Sequence, residues 1–179
     1  MGKERLEVYL RHEMTLVLAQ GCKYNCKFCA AKKAMREQFR CLEVFEYDLK
    51  HLAIRAKQMG IGKLEFYALS LDFFQNPLIL AEYLKVLARI QKDERIEIKV
   101  RCLACAKSFL EAFEEVPDLA ELIRSAGVWC IGFGGDGVDK DVWQSQNKWQ
   151  NTEENLRLSI AKCHEINVRP ELLMVVGFA

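Results

Sequence analysis

The sequence contains little proline and little histidine, with three of each among its 179 residues. It also has almost no excess of charge of either sign, since it contains 26 basic and 25 acidic residues. So little proline excludes a collagen-like or proline-rich chain. A net charge of +1 provides no general attraction to nucleic acid or an anionic membrane. No apolar run approaches the roughly 20 residues of a transmembrane helix, so no membrane association is expected. The composition, 51% hydrophobic, predicts one soluble globular domain over residues 1–179.

Cysteine, by contrast, is plentiful, with eight in the chain. The N-terminal stretch MGKERLEVYLRHEM is charged throughout and lacks the apolar segment of a signal peptide, which predicts a cytoplasmic location. In that reducing compartment the cysteines are not expected to form a disulfide framework. Their spacing is therefore informative about chemistry.

Apolar runs rich in β-branched and aromatic residues alternate with amphipathic stretches along the chain. Strands are predicted at residues 14–19, 63–69, 95–100, 128–134 and 171–178, and helices at 43–59, 77–91, 106–126 and 152–165. Asn151 and Glu154 resemble a capping box before the last helix. Nearly continuous apolar strands joined by helices indicate a parallel sheet covered by helices, either a barrel or an open α/β fold.

The sequence ends directly after its fifth predicted strand, VVGFA. A βα architecture would place a further helix there, and an uncovered strand edge invites pairing with another chain. We therefore expect either that the sequence is a fragment or that a partner subunit completes the sheet.

Cys22, Cys26 and Cys29 form a CxxxCxxC triplet directly after the first predicted strand. In parallel barrels the loops at this end of the strands build active sites. A structural zinc site needs four ligands, whereas three thiolates suit a cubane iron–sulfur cluster that keeps one iron open. The triplet therefore predicts an iron–sulfur centre, with a zinc protein as an alternative.

This loop, with aromatic Phe28 directly before the third cysteine, resembles the signature of the radical S-adenosylmethionine (radical SAM) superfamily. The resemblance covers most of the chain and implies an α/β fold, a partial parallel (βα) barrel of about five βα units that lacks the expected sixth. It also implies that Cys22, Cys26 and Cys29 bind three irons of a 4Fe-4S cluster. The fourth iron would bind the amino and carboxylate groups of SAM, and Phe28 would lie beside the adenine.

The resemblance implies further SAM contacts at the ends of the predicted strands. Relatives carry a Gly-Gly-Glu-like stretch after strand two that faces the methionine amino group, but this sequence reads YALSLDFFQNP, where Ser70 and Asp72 are the polar candidates. Arg101, expected just after strand three, is a candidate for the SAM carboxylate. Asp136 in IGFGGDG is the candidate after strand four, and Gly177 would let the backbone approach the adenine.

As a member of this family the protein would be an enzyme that reductively cleaves SAM to a 5′-deoxyadenosyl radical, which abstracts hydrogen from a substrate. It would need a reducing electron donor, and the sequence does not identify the substrate, whether a small molecule or a macromolecule. The alternative is a truncated or degenerate iron–sulfur-binding subunit without independent catalysis. The missing Gly-Gly-Glu stretch and the abrupt terminus favour that alternative.

Other residues allow two interpretations each. Cys102 and Cys105 form a CxxC that could bind a second metal, although free cysteines are commonly core residues. Cys130 alternates with apolar neighbours and is predicted to be in the core. Trp143 and Trp149 are predicted to pack between a helix and the barrel, with substrate stacking as the alternative.

The cysteine loop is also locally basic. Residues 22–40 contain Glu37 as their one acidic residue beside Lys23, Lys27, Lys32, Lys33, Arg36 and Arg40. This charge could receive an anionic substrate or an acidic electron donor, or it could balance the negative charge of a cluster.

Overall fold

The computed structural model describes residues 3–31, 37–137, 139–175 and 177. Its helices are α1 Lys3–Leu10, α2 Leu42–Gln58, α3 Pro77–Glu94, α4 Ala106–Glu115, α5 Leu119–Ser125, α6 Lys140–Ser145 and α7 Glu153–Glu165. Its strands are β1 Met14–Val17, β2 Ala19–Gln20, β3 Gln38–Phe39, β4 Lys63–Leu69, β5 Glu97–Ala104, β6 Val128–Gly134 and β7 Arg169–Leu173. Among the described helices, none is both long and apolar enough to cross a membrane.

Five strands form one parallel sheet in the order β1-β4-β5-β6-β7. The order follows the chain without reversal, so right-handed crossovers all proceed in one direction and their helices lie on one face of the sheet. A doubly wound sheet would instead reverse its strand order at a switch point. The predicted parallel sheet is therefore confirmed, with the strand progression of a barrel.

Side chains of β5 alternate between two environments. Ile98, Val100 and Cys102 are buried in the core beneath the helices, whereas Lys99 and Arg101 point to the opposite face and are partly exposed. The helix-covered core also contains a cluster of aromatic rings, in which Phe109 packs edge-on against Phe74 and Phe133. Burial of this one face holds the helices on the sheet.

Several predicted boundaries need correction. The strand predicted at 95–100 continues through Ala104, because its partly exposed residues interrupt the apolar run without interrupting the pairing. The strand predicted at 171–178 begins earlier, as Arg169–Leu173. The helix predicted at 106–126 is two helices, α4 and α5, separated at Pro117, whose ring removes a backbone donor.

The strand predicted at 14–19 divides into β1 and the short β2. β2 pairs antiparallel with β3, placing Ala19 opposite Phe39. This two-stranded ribbon closes the base of the loop that carries the three cysteines of the triplet. The local sequence gave no signal for so short a pair.

Candidate active site

A cavity of about 270 Å³ lies at the carboxyl ends of the parallel strands. Residues that follow four strands line it: Asp72 after β4, Cys105 after β5, Asp136 after β6 and, at the end of β7, Leu173. Crossover loops of parallel sheets meet at this edge, and ligands bind there. The topology therefore brings together side chains that are far apart in the sequence.

Cys22, Cys26 and Cys29 line the same cavity from the loop that follows β2. The backbone N–H of Tyr24 donates to Cys22 Sγ at 3.5 Å, and the N–H of Cys29 donates to the carbonyl of Cys26 at 3.2 Å. All three cysteines have free thiols. The predicted triplet therefore lines a single cavity.

The electrostatics of this loop fit a positively charged metal centre. Burial raises the pKa of the Cys22 thiol to about 11, and the neighbouring thiols of Cys26 and Cys29 add to the rise because adjacent thiolates repel. Bound metal cations remove both penalties, since they stabilise thiolates directly.

The arrangement of the thiols also distinguishes between types of metal centre. Within the described residues, no three cysteine, histidine, aspartate or glutamate side chains converge closely enough to hold one metal ion. The ligands of a cubane cluster need not converge on one point, because each thiolate binds a different iron. Three thiolates on one loop suit a cubane that keeps one iron open, whereas a structural zinc site needs four ligands.

Residues 146–151, which we call the support segment, pack against the cysteine loop. The backbone N–H of Lys27 donates to the carbonyl of Gln146 at 2.9 Å. The side-chain amide of Asn147 donates to the carbonyl of Asn25 at 2.8 Å. These bonds join parts of the chain more than 100 residues apart and fix the loop to the segment that follows α6.

Tyr24 attaches the cysteine loop to a second element. Its hydroxyl lies 3.0 Å from the hydroxyl of Ser108 in α4, and its ring packs edge-on against Trp149 at 5.9 Å. Trp149 itself is 59% exposed, with the Lys107 ammonium 4.9 Å from its ring centroid. The prediction that Trp149 packs between a helix and the barrel is wrong, because its ring lies over the rim of the cysteine loop.

Asp72 is 1% exposed and lines the cavity. Its Oδ1 accepts a hydrogen bond from the Cys105 N–H at 3.0 Å, whereas its buried Oδ2 has no hydrogen-bond partner in the described part of the protein. Burial raises the pKa of this carboxyl above its ordinary value. An unsatisfied buried acceptor is costly and indicates where a ligand with a hydrogen-bond donor fits.

Ser70 is buried near Asp72 but does not line the cavity. Its hydroxyl donates to Glu37 Oε1 at 3.5 Å. Burial raises the pKa of Glu37 to about 7, and its Oε2 has no partner among the described residues. Sequence reasoning noted Glu37 as the one acid in a basic stretch, without a role. Of the basic residues there, Lys32, Lys33 and Arg36 lie outside the described residues.

Asp136, the SAM candidate after the fourth predicted strand, lines the cavity after β6 and forms an ion pair with Lys148. The Lys148 ammonium also donates to the carbonyl of Gly134 at 2.9 Å and lies 5.8 Å from the ring centroid of Phe28. Burial lowers the pKa of Lys148. Lys148 is the one basic side chain among the described residues that line the cavity, and sequence reasoning missed it.

The expected placement of Arg101 is wrong. Since β5 extends to Ala104, Arg101 lies within the strand on the face away from the helices, and it is not one of the described residues lining the cavity. Its guanidinium donates to both carboxylate oxygens of Glu13 at 3.1 Å and lies 3.8 Å from Glu171. Its charge is therefore used in an ion-pair network across the sheet.

Phe28 and Gly177 are the two residues predicted to contact the adenine. Phe28 lines the cavity and is 43% exposed. Gly177 has a φ of +90°, and a Cβ at this position would meet no atom of the described residues within 4 Å. The adenine contacts proposed for both residues stay predictions.

Cys102 and Cys105, the CxxC pair, are placed in different surroundings. Cys102 is buried in the helix-side core, whereas Cys105 lines the cavity, so the two do not face the same space. Cys130 is buried, as predicted. Trp143 is also buried, as predicted, and its indole N–H donates to the carbonyl of Gly135 at 2.7 Å.

Comparison with known proteins adds a family to this geometry. A family model described as the radical SAM superfamily matches residues 16–178. No curated protein matches the sequence.

Three solved structures share the fold. Methylornithine synthase (PylB) has 11% identity and a TM-score of 0.56, and the match covers 98% of this chain and 49% of the PylB chain. Coproporphyrinogen III oxidase (HemN) from Escherichia coli, a radical SAM enzyme, has 14% identity and a TM-score of 0.60. That match covers 99% of this chain and 41% of the HemN chain. HydG, a maturase of the FeFe-hydrogenase, has 12% identity and a TM-score of 0.55, and the match covers 98% of this chain and 38% of the HydG chain. The chain therefore spans less than half of each structure.

Proposed function

Because the chain belongs to the radical SAM superfamily, we propose that it is the catalytic core of a radical SAM enzyme and holds its 4Fe-4S cluster on Cys22, Cys26 and Cys29. Members of this superfamily use a 4Fe-4S cluster and SAM. One observation supports the proposal above the others. The three cysteines line the same cavity as Asp72, a buried carboxylate of which one oxygen has no partner among the described residues.

When bound, the cluster supplies the electron for reductive cleavage of a carbon–sulfur bond in SAM, which yields methionine and a 5′-deoxyadenosyl radical able to abstract hydrogen. The residues of the chain contribute binding, orientation and exclusion of water. The side chains of Leu71, Leu103 and Leu173 give the cavity an apolar border.

Asp72 is proposed to bind the methionine ammonium of SAM. Its Oδ2 is buried and has no partner in the described part of the chain, and the residue lines the cavity. It follows β4, the second strand along the chain in the parallel sheet, where the resemblance implies a contact with this amino group. A single aspartate replaces the Gly-Gly-Glu stretch in this role. This substitution removes one reason for a degenerate, non-catalytic subunit.

Lys148 replaces Arg101 as our candidate for the SAM carboxylate. Its ammonium is in the cavity wall, whereas the Arg101 guanidinium is paired to Glu13 elsewhere on the sheet. Asp136 holds Lys148 in place through their ion pair, and its carboxylate faces the cavity from the loop after β6. Phe28 is proposed to stack on the adenine, and Gly177 to let the backbone approach it.

The proposal also implies partners that the chain itself does not contain. A reducing electron donor is needed for SAM cleavage, and a substrate must supply the hydrogen. Free thiols and a reducible cluster suit a reducing compartment such as the cytoplasm. A partner subunit that pairs with the sheet edge stays a prediction.

The test is anaerobic reconstitution with iron and sulfide, followed by reduction with dithionite in the presence of SAM and detection of 5′-deoxyadenosine. Wild-type protein is expected to form the product. Cys26→Ala is expected to form none, whereas Cys163→Ala, which removes a thiol buried in α7, is the matched control.

Each outcome of this test supports a different function. A cluster that forms but leaves SAM unbound and uncleaved would contradict the catalytic proposal and support an iron–sulfur-binding subunit. Stoichiometric zinc and no iron in anaerobically purified protein would contradict the cluster itself.

A further inference from the structure

Gln150 lies in the support segment and reaches both the cysteine loop and the cavity. Its side chain is buried, with the residue 3% exposed. Its Nε2 is 3.5 Å from Cys26 Sγ. Its Oε1 is buried and has no hydrogen-bond partner among the described residues, and the residue lines the cavity. One end of the amide therefore faces Cys26, and the other end is a buried acceptor.

The orientation of this amide follows from the chemistry of its neighbour. A thiolate is an acceptor, so the NH₂ group must face Cys26 and the carbonyl oxygen must point away from it. The backbone holds Gln150 in this position, because its own carbonyl accepts from the Asn155 side chain at 3.5 Å and the adjoining segment is bonded to the cysteine loop. The amide is thus placed before any ligand binds.

A hydrogen bond to a cluster thiolate affects the redox properties of the cluster. Reduction makes a cluster and its thiolates more negative, so a donor at sulfur stabilises the reduced state more than the oxidised state. A buried donor is effective because the local dielectric constant is low. Gln150 is therefore expected to raise the reduction potential of a cluster bound at Cys26.

The unpartnered oxygen carries separate information. A buried carbonyl oxygen without a partner is destabilising, and a bound ligand that donates to it can remove that penalty. Asp72, which follows β4 and lines the same cavity, has a second buried oxygen, Oδ2, without a partner among the described residues. A ligand with two separate donor groups fits this pair, and SAM has an ammonium group and two ribose hydroxyls.

We propose that Gln150 is a positioning residue that links SAM binding to the cluster: its NH₂ group donates to Cys26 Sγ, and its Oε1 accepts a hydrogen bond from SAM. This inference rests on the proposed function. It assigns to one side chain both an effect on the reduction potential and an effect on SAM affinity. Replacing a residue that only packs in the cavity wall would not change both the reduction potential and the SAM affinity.

The test compares Gln150→Met with Gln144→Met in reconstituted protein. Methionine keeps the approximate shape of glutamine but neither donates through N–H nor offers a carbonyl oxygen. Gln144 is exposed in α6, in the same part of the chain, and serves as the matched control. The readouts are iron content, the cluster reduction potential from an EPR-monitored titration without SAM, and the dissociation constant for SAM.

Gln150→Met is expected to keep its iron, to show a lower reduction potential, and to bind SAM about tenfold more weakly, the loss of one hydrogen bond. Gln144→Met should match wild type in all three. An unchanged potential or an unchanged dissociation constant in Gln150→Met with full iron content would overturn the inference.

A second measurement applies where Gln150→Met assembles no cluster. Wild-type protein labelled with ¹⁵N in its glutamine side chains is reduced and examined by pulsed EPR for a nitrogen coupling to the cluster, with unlabelled protein as the reference. A coupling supports the N–H···S bond, and its absence overturns the inference. By contrast, wild-type protein that forms no cluster or cleaves no SAM would contradict the proposed function, so the two failures are distinguishable.

Discussion

The ammonium of Lys148 and the carboxylate of Asp136 form an ion pair in the wall of the cavity, where their side chains are 11% and 12% exposed. Asp136 has a φ of 42°, an uncommon conformation for a residue other than glycine, and it leads the chain away from β6. A strained backbone that positions a buried charge is typical of functional sites. The pair therefore connects the end of the sheet to the support segment.

Asp136→Ala is expected to destabilise the protein because it leaves the buried Lys148 ammonium without its partner. Breaking a buried pair from one side costs about 3–5 kcal/mol. Urea denaturation should show this loss. As a control, Glu82→Ala removes an exposed pair with Lys85 and should cost less than about 1 kcal/mol. Equal losses in the two variants would contradict a buried role for the Asp136 pair.

The cysteine triplet could be predicted from sequence because its information is local: its three ligands lie within one loop. The contact between Gln150 and Cys26 could not, since 124 residues separate them and no periodic pattern relates them. The topology of the sheet creates that contact.

Two errors of prediction near the site have one physical origin. The apolar run predicts too early an end for the strand containing Arg101, because polar residues on its open face interrupt that run. The sequence predicts Asn151 as a helix cap, but the cap of α7 is Thr152, whose hydroxyl accepts from the Asn155 N–H at 3.0 Å. Asn151 instead donates to the carbonyl of Gly134 at 2.6 Å. In both cases a tertiary contact determines the role of a polar residue whose type suits a local one.

Asp72→Asn is expected to weaken SAM binding while leaving the iron content unchanged. Asparagine keeps the size and shape of the side chain but removes the charge that would pair with an ammonium group, a change worth about tenfold to a hundredfold in affinity. Isothermal titration of the reconstituted protein measures this. Asp118→Asn, on the exposed turn before α5, should match wild type. Loss of iron in Asp72→Asn would instead give Asp72 a role in holding the cluster.

Glu37 predicts a pH dependence of stability. Burial raises its pKa from an ordinary value of 4.5 to about 7, so the folded protein holds this proton more tightly than the unfolded chain. The contribution to stability is therefore fully present below about pH 4.5 and is lost as the pH rises to about 7. Glu37→Gln, which cannot ionise, should lose less stability over this window in urea denaturation at a series of pH values. Parallel curves for both proteins would contradict a buried, protonated Glu37.

The fourth thiol of the cavity provides the sharpest test of an open iron. Cys105 lines the cavity together with the three cysteines of the triplet, and its backbone N–H is already bonded to Asp72. If the triplet alone binds the cluster, Cys105→Ala should retain the full iron content and the EPR signal of the reduced cluster, and SAM should still perturb that signal. Cys29→Ala should lose the cluster. Loss of iron in Cys105→Ala to the same extent would mean that four thiolates hold the cluster, which would leave no iron free for SAM and would contradict the proposed chemistry.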